Sequence, residues 1–103
     1  MSVKDALIMK RVDNVATVIQ DVEVDDVVAV RLGKENFTVK AREKIPFGFK
    51  VSVKSLQKGE AIIKYGEVIG TARTKIEEGA LVHIHNLEGT RGRGDLNRRR
   101  VQP

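Results

Sequence analysis

The sequence contains no cysteine and no tryptophan, and its aromatic residues are one tyrosine and three phenylalanines. Without thiols it has neither a disulfide framework nor a thiolate metal site, which fits a reducing compartment and an expected cytoplasmic location. Without large rings, burial falls to Val, Ile and Leu, and the β-branched members of that set favour strands. No apolar run approaches the roughly 20 residues that a membrane-crossing helix needs, so no membrane partner is expected. The first residues lack the basic-then-apolar pattern of a secretory signal. Helical periodicity is missing as well, and no segment is assigned to a helix. What remains is one small all-β domain.

The formal charge is +5, but it is unevenly placed. From Gly89 onward there are five arginines and one aspartate, so the rest of the 103-residue chain is almost neutral. A nucleic-acid surface would spread Lys and Arg over a folded face and interleave aromatics for stacking. Nucleic acid is therefore not the expected partner. The basic excess reads as a Gly/Arg-rich flexible tail over 89–103, following a folded domain over 1–88.

Within the domain, "NFTVKAREKI" alternates Phe37, Val39 and Ala41 with Thr38, Lys40 and Arg42. That is the pattern of a half-exposed strand, with Pro46 as its stop because it cannot donate to a ladder. The clearest regularity is a repeated phrase: an apolar residue, two residues, Gly, two residues, an apolar residue. It appears as Ile45 to Val51 around Gly48, as Leu56 to Ile62 around Gly59, and as Ile76 to Val82 around Gly79. A degenerate copy, Val22 to Val28, has Asp25 in the Gly position. Each phrase predicts a buried anchor, a turn that needs positive φ, and a strand beyond it.

Both histidines stand in "VHIHN", Val82 to Asn86. On a strand, His83 and His85 would face one way, with Val82 and Ile84 packed on the other face. Two imidazoles are too few to close a metal site, so carboxylates, solvent or another chain would have to complete it. Asn86 reads either as a ligand for a hydroxyl or carboxylate or as an Asx-type turn that closes the strand. Arg91 and Arg93 have the forked geometry that clasps a carboxylate, on a substrate or on a partner chain. Lys64 and Tyr65 have side chains capable of acid-base chemistry, but within "AIIKYGEVIG" they read as the end of a strand and its turn.

From Asp13 to Asp95 the sequence resembles the SAF-type (β-clip) small domain of the altronate and galactarate dehydratase family. The segments Lys64-Tyr65-Gly66, Val68-Ile69-Gly70, Val82 to Asn86 and Arg91 to Asp95 carry the resemblance most specifically. It implies an all-β SAF-type β-clip domain of short strands and tight turns. It also implies an accessory small subunit, or an N-terminal module, of a sugar-acid hydro-lyase that removes water by metal-assisted β-elimination. Such a chain would be inactive without a large catalytic dehydratase subunit. The resemblance assigns His83 and His85 to a divalent metal, iron(II) in this family, shared with the partner chain. With a sugar acid as substrate, the chemistry of Asn86, Arg91 and Arg93 makes them the expected substrate-binding residues. The alternative from another class is a non-catalytic binding module for an anionic sugar or polymer. Which sugar acid is used stays open.

Overall fold

A computed structural model describes residues 2–89. The segment 90–103, which holds Arg91, Arg93 and nearly all of the tail read from the sequence, lies outside the described residues. Nine strands make up the described chain: β1 (Val3–Leu7), β2 (Val15–Val18), β3 (Val27–Leu32), β4 (Glu35–Lys40), β5 (Lys50–Ser52), β6 (Ala61–Lys64), β7 (Glu67–Ala72), β8 (Leu81–Val82) and β9 (Leu87–Gly89). The first sheet has the order β4-β3-β1-β2-β5-β8 and the second β6-β7-β9. All neighbours pair antiparallel except β1 and β3, which run parallel. There is no helix among the described residues, as the sequence implied. None is therefore long and apolar enough to cross a membrane.

The repeated phrase organises the whole fold. Its four central positions, Asp25, Gly48, Gly59 and Gly79, all have left-handed backbones, with φ of 71°, 88°, 87° and 89°. Each is the third residue of a four-residue turn closed by a bond from the fourth N–H to the first carbonyl, at 2.9–3.1 Å. A turn with positive φ at its third position selects Gly, and Asp is among the few side chains that tolerate the same region. The N–H of the third residue then donates outside the turn, to Ala41, Val18, Ala72 and Ser52 respectively. Each of these acceptors donates its own N–H back to the turn's fourth residue, at 2.9–3.0 Å.

The anchors pair as well. Val22 and Ile45 exchange two backbone hydrogen bonds, and so do Leu56 and Ile76. Val22 and Ile45 belong to a core with Ala6, Ala16, Val18, Val28, Val30 and Val51. Leu56 and Ile76 belong to a second core with Val15, Ile62, Ala72 and Val82. Four phrases thus act as two pairs, one for each core. Burying a Val, Leu or Ile side chain stabilises by about 1.5–3 kcal/mol, so the anchors are among the main contributors to both.

Two expectations shift. The strand through Phe37 ends at Lys40, well before Pro46, because Ala41 is already bonded to the Asp25 turn. Gly89, grouped with the tail on composition, is the last residue of β9 and pairs with Gly70.

Asp26 shows how tightly the first turn is held. Its carboxylate accepts from the N–H groups of Glu23 (2.8 Å) and Ser2 (3.0 Å) and from Lys4 Nζ (3.0 Å). The Glu23 and Ser2 N–H groups, followed by Lys4, hold its pKa down at about 2, against roughly 3.9 for a free aspartate. A carboxyl depressed in the folded state contributes stability that is present above about pH 4 and lost as pH falls towards the folded value. Thermal midpoints measured from pH 5 to pH 2 should therefore fall less steeply for Asp26→Asn than for the parent chain. Parallel curves would remove Asp26 from the acid response.

Candidate functional site

The two histidines lie at the junction of the two sheets, where β8 gives way to β9. β8 ends at Val82, and His83 to Asn86 form a turn rather than a continuation of the strand. The cause is Asn86. Its Oδ1 accepts the His83 N–H at 2.9 Å and its Nδ2 donates to Leu81 O at 2.9 Å. The His83 carbonyl closes the turn by accepting from Asn86 N (3.0 Å) and Leu87 N (2.9 Å). Arg73 N then binds the Asn86 carbonyl, which fixes the turn to the end of β7. A short polar side chain that offers the backbone a local partner competes with strand pairing, and here it wins.

This corrects the period-two reading of the pair. His83 and His85 do not share a strand face, and Ile84 does not pack opposite them: it is 73% exposed. The imidazoles differ in setting. The His83 ring packs against Phe49 with centroids 4.7 Å apart, tilted by 52°, while His85 is exposed. Among the described residues neither imidazole has a hydrogen-bond partner, and no group of three His, Asp or Glu side chains is placed to hold a metal ion. Asn86, a candidate substrate ligand, is 6% exposed and spends both amide atoms on the turn.

Two contributors were missed in the sequence. Phe49 supports His83, and the alternation Phe49, Val51 in the second phrase was the available signal, since both turn towards the first core. The Asp13-Asn14 pair, given no role in the sequence analysis, fastens the β6–β7 hairpin onto β2. Asn14 Oδ1 accepts Ile63 N at 2.7 Å and Nδ2 donates to Ala61 O at 2.9 Å. Asp13 accepts from Gly66 N (2.7 Å), Met9 N (2.9 Å) and Lys10 N (3.1 Å). Burial raises the Asp13 pKa, but backbone N–H groups from Met9, Gly66, Lys10 and Tyr65 outweigh it and hold the carboxyl below its ordinary value. Lys64 and Tyr65 close the hairpin that this pair fastens.

Comparison with known proteins places this geometry. Residues 4–90 match the altronate/galactarate dehydratase SAF domain. The chain is 36% identical over 91 residues to altronate dehydratase of Escherichia coli (strain K12), an alignment that takes in 88% of this chain and 17% of that protein. It is 29% identical over 76 residues to altronate dehydratase of Bacillus subtilis (strain 168), of which it spans 14%. With the (2R)-sulfolactate sulfo-lyase subunit alpha of Paracoccus pantotrophus it shares 41% identity over 56 residues, 54% of this chain and 84% of that subunit.

Proposed function

The chain belongs to the altronate/galactarate dehydratase SAF-domain family, and from that premise we propose that it is the accessory subunit or module of a cytoplasmic lyase acting on a hydroxylated organic acid. A domain of this kind occurs as a small part of altronate dehydratases and as most of a sulfo-lyase alpha subunit. The supporting observation is an incomplete site: two imidazoles without hydrogen-bond partners on one rigid turn, with no third ligand beside them among the described residues. A large catalytic chain supplies the remainder. The reaction is β-elimination of water from a sugar acid, yielding a 2-keto-3-deoxy acid after tautomerisation.

Neutral imidazoles suit iron(II), and among the described residues neither ring has a hydrogen-bond partner, so in donor chemistry the pair suits part of a shared divalent site. His83 and His85 would hold part of it. When bound, the ion supplies Lewis-acid polarisation of the substrate carboxylate or departing hydroxyl. The chain's own residues supply placement. Phe49 restrains the His83 ring, and Asn86 holds the turn rather than the substrate. Arg91 and Arg93 are assigned, on their chemistry alone, to the substrate carboxylate.

The test is reconstitution. The purified chain, the large chain of a dehydratase of this family and iron(II) are mixed with a panel of sugar acids and 2-keto-3-deoxy product is assayed. Product should appear only when both chains are present. Full activity of the large chain alone, or none with any acid in the panel, would remove the proposal.

A further inference from the structure

Three lysines are half-buried among the described residues: Lys4, Lys50 and Lys64. Lys4 is neutralised by Asp26 at 3.0 Å. Lys50 and Lys64 have no ion pair within the described residues, yet both flank the hydrogen bond between Tyr65 and Thr17, Lys50 opposite Thr17 across the strands and Lys64 against the Tyr65 ring. Glu67 stands opposite Lys64 in the hairpin register but forms no salt bridge with it. Placing two like charges together and partly out of water is unfavourable without a counter-charge. Burial, and then the Lys64 charge, push the Lys50 pKa down.

The surroundings of the pair are built rather than incidental. Thr17 on β2 is the cross-strand neighbour of Lys50 on β5. The Tyr65 hydroxyl donates to Thr17 Oγ1 at 3.2 Å, and Lys64 Nζ sits 5.0 Å from the centre of the Tyr65 ring. Tyr65 and Gly66, with φ of 54° and 82°, are the two central residues of the turn that joins β6 to β7, and a two-residue hairpin of this kind needs positive φ at both. Asp13 holds the turn in place by binding the Gly66 N–H at 2.7 Å.

We propose that Lys50 and Lys64, together with the Thr17 hydroxyl that Tyr65 orients, form a binding site for the oxyanion head group of a small ligand, a carboxylate or a phosphate. The ammonium groups supply the charge, and the Thr17 hydroxyl, which accepts from Tyr65, directs its own O–H to the ligand. Two cations at a single point do not track a polymer backbone, which separates this site from a nucleic-acid surface. A bound oxyanion neutralises both lysines at once. The inference does not rest on the lyase reading, although Lys50 pairs with Val82, the residue that leads into the histidine turn.

The experiment is an NMR titration of the ¹⁵N-labelled full chain with sodium malonate and, separately, with inorganic phosphate, sodium chloride holding the ionic strength constant. Saturable shifts centred on Thr17, Lys50, Lys64 and Tyr65 are expected, and the probe that binds more tightly identifies the head group. Lys50→Gln and Lys64→Gln should each weaken binding roughly tenfold, as expected for loss of one charge-assisted hydrogen bond. Tyr65→Phe, which keeps the ring and removes only the hydroxyl, should weaken it less. Shifts that fail to saturate with both probes, or equal affinity in both lysine variants and the parent chain, would overturn the site.

Discussion

Replacing His83 and His85 together by alanine should lower the activity of the reconstituted two-chain enzyme by roughly 100-fold or more, the scale of losing Lewis-acid assistance to a leaving hydroxyl. The fold should persist. His85 is exposed, so its removal touches no core. His83 gives up its contact with the Phe49 ring, and loss of one such ring contact costs about 0.5–1.5 kcal/mol. The single variants therefore separate the two roles: His85→Ala should lower turnover and leave the thermal midpoint in place, while His83→Ala lowers both. Iron retained by the complex gives a second readout and should fall in either variant. Parent-level rates and iron content in the double variant would reduce the pair to a detail of the turn.

The largest effect on folding is expected at Gly79, where two demands coincide. Its φ of 89° lies in the left-handed region, and a Cβ built there would sit 2.0 Å from the Lys40 carbonyl oxygen. That oxygen is backbone and cannot swing away as a side-chain tip would. Gly48 has almost the same φ, 88°, with nothing within 4 Å of the same position. Gly48→Ala should thus cost only the conformational term, about 1–2 kcal/mol. Gly79→Ala adds a steric conflict with β4 and should cost roughly 3–5 kcal/mol, at the upper end of what one substitution does. Urea unfolding of the two variants side by side checks this. Equal losses would mean that the backbone around Lys40 yields at little cost.

What the sequence disclosed, and what it withheld, follows the range of the interactions. The turns at Gly48, Gly59 and Gly79 were legible because positive φ is a demand made on one residue, and even Asp25 was found by its place in the phrase. That Val22 joins Ile45 and Leu56 joins Ile76 was not legible, since nothing local distinguishes one anchor from another. The histidine block misled through its own alternation: Val82-His83-Ile84-His85 spells a strand, and only the Asn86 side chain cancels it. Asn86 was open to an Asx-type reading, and that reading, carried back three residues, would have ended the strand at Val82. Lys50 and Lys64 were beyond reach for a different cause. They are 14 positions apart on separate sheets, and it is Asn14 and Asp13 that bring their strands together.

The turns also bear on how the chain reaches its native state. Each can close by itself in a microsecond or so, as short local elements do, yet the N–H of its third residue finds its acceptor only on a distant strand. The links from Asp13 and Asn14 to the β6–β7 hairpin span 47 to 53 positions. Long chain loops must be closed before such bonds return any stabilisation, and topologies dominated by them fold in milliseconds to seconds. The turns are formed early and rewarded late. Substitutions that spoil a turn's own conformation should therefore slow folding, while those that remove only its distant contact, or the Asp13 and Asn14 links to the hairpin, should register chiefly in the unfolding rate.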